Sequence, residues 1–304
     1  MKKKEAVVMG QTFEARTKGD IVFDIFNHAL MIIICLIIFY PLYYVVLASL
    51  TDPKIVNTGK LLFYPENLYL EGYAKALEFP SLTTGYVNTV KYTVMSVIVS
   101  LLATVPAAYT LSRHDLPGRK TLMFLFTFTM FFSGGIIPMF LTIRAVGIYN
   151  TSWALVLPAA VSVYNLIVCR SFFESSIPVE LLEASRIDGS SDFGFFFRIA
   201  LPLSSTIIAV MALFYATSMW NTFFNALMFL QDDSKMPLQV VLRNLVLSNQ
   251  LSAGSSGAEL AERQKVIDQL KYVIITMSAL PLIMIYPFVQ RYFVAGVTIG
   301  AVKG

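Results

Sequence analysis

The 304 residues of this chain are 56% hydrophobic and only 14% charged, and their mean hydropathy is +0.67. Soluble domains carry about 25% charged residues, so this composition excludes an ordinary soluble protein and indicates that lipid surrounds most of the chain. The net charge of +4 is too small and too scattered to indicate nucleic-acid binding. Cys35 and Cys169 lie within apolar segments without Cys or His neighbours at metal-ligand spacing, which predicts buried structural thiols.

The chain opens with a short basic run from Met1 to Lys4. The residues that follow are mostly polar, so the run does not lead into the apolar core of a signal peptide, and we expect no cleavage. We expect residues 1–27 to form a cytoplasmic N-terminal segment and residues 28–304 to form the membrane domain.

Long apolar stretches then recur along the chain. A helix needs about 20 residues to cross the hydrocarbon core of a bilayer, and this length predicts an all-α, polytopic membrane protein with about six spans. The predicted spans are residues 29–50, 87–111, 122–143, 153–173, 201–230 and 272–293. Each contains or begins with proline, which membrane bundles tolerate because neighbouring helices satisfy the freed carbonyls. Kinked helices around a cavity and ordinary membrane-helix composition both fit this pattern.

Basic residues predict the orientation of these spans. Arg113, Arg119 and Lys120 crowd the short loop between the second and third spans. Lys and Arg concentrate in cytoplasmic loops, so we expect both termini to be cytoplasmic. Two loops on the opposite side are long, residues 51–86 and 231–271. The second reads as a short amphipathic helix over residues 237–247, a flexible Ser/Gly tip and a charged helix.

A distinctive segment lies in the predicted cytoplasmic loop over residues 174–200. Pro178 suits the first turn of a helix, and Gly189 suits a left-handed stop about three turns later. Asp192 is then placed to cap a second helix that runs through an aromatic stretch into the fifth span. The segment therefore predicts a helix, a turn and a helix, in which the first helix could act as a lever for a partner protein.

At these residues the chain resembles the permease subunits of binding-protein-dependent ABC importers, in the oligosaccharide-uptake branch that includes the second permease of maltose-type systems. The family signature reads Glu-Ala-Ala, three residues, Gly, about nine residues and Ile-x-Leu-Pro. Glu183-Ala184-Ser185, Gly189 and Ile199-Ala200-Leu201-Pro202 occupy those places. Ser185 and Thr206 depart from the pattern. Further similar segments are Leu116-Pro117-Gly118-Arg119, Ile137-Pro138, Trp220-Asn221 and residues 300–304.

The resemblance implies roles for particular residues and partners for the chain. It implies that Glu183, Ala184, Ser185, Asp188 and Gly189 contact an ATPase subunit and transmit ATP hydrolysis to the pore. It also implies a second permease, two ABC ATPase subunits, an extracellular solute-binding protein and a carbohydrate solute, with the chain in the cell membrane. The loop between the last two spans would reach the binding protein through its tip. The residues of that tip are Ser252, Ala253, Gly254, Ser255, Ser256 and Gly257.

The sequence contains no Walker A pattern, whose glycines and lysine cradle phosphates. We therefore expect this chain to be no enzyme and to hold no cofactor or metal, while separate subunits use ATP and Mg²⁺.

Polar side chains within the spans are candidates for the solute path, because unsatisfied amides are costly in lipid. Hydrogen bonding between helices is the other interpretation of the same residues. These residues are Asn88, Tyr92, Tyr164, Asn165, Ser218, Trp220, Asn221 and Asn225, of which Ser218, Asn221 and Asn225 are expected to share one helix face.

Three other functions remain as alternatives. A permease for a non-sugar solute would share every feature above. A secondary transporter needs an intramembrane proton or sodium site, and the spans lack Asp and Glu. A membrane enzyme needs a cluster of acids and histidines, and the chain has only His28 and His114.

Overall fold

The computed structural model of the protein describes residues 18–60, 63–252, 268–285, 287 and 290, with side chains of the second range described as far as residue 245. Contacts divide the chain into two units, residues 1–69 and 70–304. The regular elements of the described residues are helices, and one isolated bridge joins Thr51 to Leu68.

The first unit is built around helix α1, Lys18–Leu50, which contains the first predicted span and continues through Pro41. The exposed faces of α1 are apolar over most of their length, and Cys35 is exposed, so the prediction that this thiol is buried is wrong. The short helix α2, Pro53–Val56, follows and begins where Asp52 accepts a hydrogen bond from the Lys54 amide.

The second unit contains the remaining helices. In chain order they are α3 (Glu71–Glu78), α4 (Pro80–Ser112), α5 (Arg119–Phe131), α6 (Ile136–Ala145), α7 (Trp153–Val156), α8 (Val163–Ser176), α9 (Val179–Ile187), α10 (Asp192–Phe195), a π-helical turn (Phe196–Ala200), α11 (Leu201–Leu203), α12 (Ser205–Trp220), α13 (Phe224–Phe229), a 3₁₀ turn (Asp233–Lys235), α14 (Leu238–Ser252) and α15 (Asp268–Ile285).

Helix α4 is the centre of this unit, and α8, α12 and α14 pack around it. Its buried stripe consists largely of small side chains, Gly85, Thr89, Ser96, Ser100 and Thr104, at helical spacing. Small residues let helix backbones approach closely in a membrane protein. A Cβ atom at Gly85 would lie 3.3 Å from the Cα of Leu238, so glycine is what allows α14 to pack here.

Three helices, α1, α4 and α15, are long and apolar enough to cross a membrane unbroken. If each of two bent pairs of helices is taken as one span, the described residues contain up to five spans. The predicted third span is one such pair, because α5 and α6 meet at 112°. Ser133 to Gly135 break the helix, and Gly135 adopts φ +86°, a conformation that disfavours other residues. The predicted span over residues 122–143 is therefore two helices with a sharp bend between them and not one continuous helix.

The predicted fourth and fifth spans are also interrupted. Residues 157–162, which include Pro158, separate α7 from α8, and Ser162 begins α8 by accepting a hydrogen bond from the Asn165 amide. The fifth span bends by 77° at Ser204, and α12 then ends at Trp220, well before residue 230. Of the predicted sixth span, residues 272–285 are helical, and most of the remainder lies outside the described residues.

Candidate functional site

Helix α9 forms where the signature predicts it and ends as Gly189 suggests. Gly189 has φ +79°, and its amide donates to the Arg186 carbonyl at 3.0 Å. The Ser190 amide donates to the Ser185 carbonyl at 2.9 Å. These two hydrogen bonds form the Schellman motif, which satisfies the last carbonyls of a helix and favours glycine in the left-handed position.

The predicted coupling residues do not all lie on one face of α9. Glu183, Ala184, Asp188 and Gly189 are exposed, whereas Ser185 is buried and its hydroxyl donates to the Leu182 carbonyl at 2.8 Å. The serine that departs from the family pattern therefore faces the interior. The exposed surface also carries an apolar side chain that the sequence analysis did not single out, because Ile187 is 87% exposed.

Aromatic packing fixes the elements next to α9. The ring of Tyr109, near the end of α4, lies 5.6 Å from Phe173 of α8 and 4.9 Å from Phe196 of the π-helical turn. Phe195 joins the same buried cluster, and Leu182 of α9 packs against its edge. Half of the predicted aromatic run is thus core, while Phe193 and Phe197 of the same run are exposed.

Four charged side chains join α9 to its neighbours, and we call them the charge ring: Arg113, Asp115, Arg186 and Asp192. Arg113 donates through Nε to Asp115 at 2.9 Å and through Nη1 to Asp192 at 2.8 Å. Arg186 reaches the same two carboxylates from α9, through Nη2 at 3.1 Å and 3.4 Å. Each arginine therefore bridges both aspartates, and the ring links the end of α4, α9 and α10.

Electrostatics keep the charge ring ionised. The Arg113 side chain is only 13% exposed, and its hydrogen bonds hold the pKa of Asp115 well below its ordinary value despite some burial of the carboxyl group. Because the pKa of this carboxyl group is lower in the folded protein than in the unfolded chain, the ionised carboxylate stabilises the fold at any pH above the ordinary carboxyl pKa of about 4. This contribution is lost only as the pH falls through the lowered pKa. The ring is therefore intact throughout the neutral and mildly acidic range.

A second charged group holds the end of α4 directly. Arg119 and Arg170 both donate through Nε to the Leu111 carbonyl, at 2.9 Å and 3.0 Å. Glu174 pairs with both guanidinium groups. Cations at the carbonyl end of a helix complement its dipole, so this group fastens α5 and α8 to the last turn of α4.

The charge ring was not predicted from the sequence, and the role of one of its members was predicted wrongly. Asp192 does not cap α10, because the Ser191 hydroxyl accepts the Gly194 amide at 3.1 Å while the Asp192 carboxylate pairs with the arginines. In the sequence, Arg113 served only as one of the basic residues that predict the orientation of the spans in the membrane. The bonds of the ring from Arg113 to Asp192 and from Arg186 to Asp115 join residues 79 and 71 positions apart, and no local sequence pattern pairs them.

Two of the predicted solute-path residues bind backbone instead, and with Thr89 they form what we call the α14 anchor. The Asn88 amide donates to the carbonyls of Ser234 and Met236, and the Tyr92 hydroxyl donates to that of Lys235 at 2.8 Å. Thr89 accepts the Leu238 amide at 2.8 Å. These contacts favour the interhelical interpretation for Asn88 and Tyr92.

The other solute-path candidates include a buried residue that bonds to backbone and residues that are exposed. Trp220 is buried, and its ring nitrogen donates to the Ser278 carbonyl at 3.1 Å. Ser218, Asn221 and Asn225 are exposed, but the prediction that they share one helix face is wrong because α12 ends before Asn221 and Asn225 belongs to α13. Their place in the solute path stays a prediction.

In α8, Tyr164 is exposed and its neighbour Asn165 is buried. The tip predicted to touch a binding protein, residues 252–257, lies outside the described residues except for Ser252, which ends α14.

Comparison with known proteins identifies the class. The family model described as "Binding-protein-dependent transport system inner membrane component" matches residues 79–299. The chain therefore belongs to this family of transport permease components and is a multi-pass membrane protein. The match includes α9 and the charge ring.

Individual relatives are similar to this chain along nearly its whole length. The polygalacturonan/rhamnogalacturonan transport system permease protein YtcP of Bacillus subtilis (strain 168) is 38% identical, over 93% of this chain and 98% of that one. The arabinooligosaccharides transport system permease protein AraQ of Halalkalibacterium halodurans is 30% identical, over 89% and 93%. A chain from the crystal structure of a bacterial ABC transporter that imports the acidic polysaccharide alginate matches with a TM-score of 0.81 and 32% identity, over 92% and 99%. The predicted all-α permease fold is confirmed.

The α14 anchor generates a prediction that separates a structural role from a solute-binding role. Thr89→Val keeps the shape of the side chain but leaves the buried Leu238 amide without its acceptor, which we expect to destabilise the protein by about 1–2 kcal/mol. Thermal unfolding of the purified permease complex measures the loss, and Thr89→Ser, which retains the hydroxyl, is the matched control.

Tyr92→Phe should also lower the unfolding temperature while leaving the half-saturation concentration for solute uptake unchanged. A raised half-saturation concentration with normal stability would instead place Tyr92 in the solute path.

Proposed function

We propose that this chain forms one half of the translocation pore of an ATP-driven carbohydrate importer, with both termini in the cytoplasm. A second permease forms the other half, two ABC ATPase subunits hydrolyse ATP, and an extracellular binding protein delivers the solute. The observation that carries this proposal is α9, an exposed helix that ends at a left-handed glycine and stands at the family signature. Its exposed side chains supply a docking face for a partner.

We further propose that the solute is an acidic oligosaccharide. The polygalacturonan/rhamnogalacturonan permease and the alginate importer both handle glycans that contain uronic acids, whose carboxylates require cations. Lys91 of α4 and Arg144 of α6 are exposed cations without an acidic partner among the described residues. The guanidinium carbon of Arg144 lies 5.4 Å from the ring centre of Tyr149, which is within cation–π range and places a cation beside an aromatic ring.

Uptake by the reconstituted complex tests the proposed solute. With its binding protein and ATPase subunits in proteoliposomes, the complex should import trigalacturonate at least about tenfold faster than neutral maltotriose, because each uronate pairs with a cation that a neutral sugar leaves desolvated. ATP-dependent accumulation of labelled sugar is the measurement. Equal rates, or a preference for maltotriose, would contradict the acidic solute and leave the permease assignment in place.

The docking role of α9 is tested at Gly189. A Cβ atom there meets no neighbour within 4 Å, so any effect of substitution comes from the backbone conformation. Gly189→Val should strain the left-handed turn by about 1–2 kcal/mol or unwind it, which moves Asp188 and Ile187 on the docking face. We expect loss of ATPase-subunit co-purification and of uptake at normal membrane levels. Gly189→Asn is the matched control, since asparagine tolerates this conformation. Normal ATPase binding by the valine variant would count against α9 as the docking helix.

A further inference from the structure

Two routes lead from α9 into the long helices, and they differ in stiffness. The first runs through α10 to α12, and it crosses the π-helical turn at Phe196–Ala200 and the 77° bend at Ser204. Single π-helical turns occur frequently at functional sites, and the bend at Ser204 interrupts the helix axis. A push on α9 that followed this route would have to pass both breaks.

The second route enters α4, which is unbroken from Pro80 to Ser112. A helix of 33 residues is about 50 Å long, and α8, α12 and α14 pack against α4, so it is a direct route from its last turn to these three helices. The Leu111 carbonyl at that end is already fastened to α5 and α8.

Leu182 of α9 packs against the buried cluster that contains Tyr109 of α4, but an open space also lies between the two elements. A cavity of about 220 Å³ lies between them, and its lining includes Ser112, Arg113, Asp115, Glu183 and Arg186. The charge ring crosses this space. Among the described residues, Arg186 is the side chain of α9 that forms ion pairs, and both of its partners also bind Arg113, which follows α4 directly.

We propose that the charge ring is the joint that passes movement of α9 to α4, so that Arg186 is a positioning residue for the coupling of ATP hydrolysis to transport. The inference rests on the proposed function of α9. Arg186 contributes little to folding, because exposed ion pairs stabilise a protein only weakly and its side chain is 49% exposed. Its loss should therefore loosen the joint without unfolding the chain or removing the docking face.

Substitution of Arg186 tests the joint. Arg186→Met keeps the apolar stem and removes the charge, and Arg186→Lys keeps the charge without the forked geometry. Arg198→Met is the matched control, since Arg198 lies on the neighbouring π-helical turn, is exposed and has no ion pair among the described residues. The readouts are ATPase-subunit co-purification and the number of ATP molecules hydrolysed per sugar imported.

We expect Arg186→Met to retain the ATPase subunits and to hydrolyse about fivefold or more ATP per sugar than the unsubstituted complex, with Arg186→Lys between the two and Arg198→Met unchanged. Asp115→Asn should shift the ratio in the same direction, because it removes a partner of both arginines. An unchanged ratio in Arg186→Met, or an equal change in Arg198→Met, would overturn the joint. Loss of ATPase binding in Arg186→Met would also overturn it by making Arg186 a docking residue. If the unsubstituted complex itself bound no ATPase subunit, the proposed function would fail instead.

Discussion

The close packing of helices against α4 is the constraint on which the second unit depends. Lipid tails are as apolar as leucine, so helices in a membrane associate through close contact and hydrogen bonds and not through hydrophobic burial alone. The buried stripe of α4 supplies both. Gly85 admits the backbone of α14, and Thr104 shares a hydrogen bond of 2.6 Å with Tyr215 of α12. Asn88, Tyr92 and Trp220, which look like solute ligands in the sequence, therefore form hydrogen bonds that hold this packing.

The end of α4 extends the same constraint to charged groups. Two arginines converge on the Leu111 carbonyl, and a few residues later Arg113 holds two aspartates from different segments. The more buried contacts fix α5 and α8, whereas the more exposed contacts reach α9 and α10. This gradient leaves α9 on the exposed side of the joint, where a partner can move it, and ties the buried side to the helices that receive the movement.

Local sequence patterns predicted most of the features that depend on residues close together in the chain. Apolar length indicated the spans, and the signature with Gly189 indicated α9 and its left-handed stop. The breaks in the third, fourth and fifth spans were missed because lipid-facing composition continues through them, although Gly134-Gly135 and Pro158 stand at two of the breaks. The charge ring and the α14 anchor join segments about 70 to 150 residues apart, so only the tertiary fold brings them together.

The central claim is that α9 is the face on which the ATPase subunit docks, and site-directed labelling of Ala184→Cys tests it most directly. Cys35→Ser and Cys169→Ala remove the native thiols, and an impermeant maleimide is applied to inverted membrane vesicles. Since Ala184 is exposed on α9, its cysteine should react from the cytoplasmic side and should be protected when the ATPase subunits are bound. Reaction only from the opposite side, or equal reaction with and without the ATPase subunits, would contradict the account.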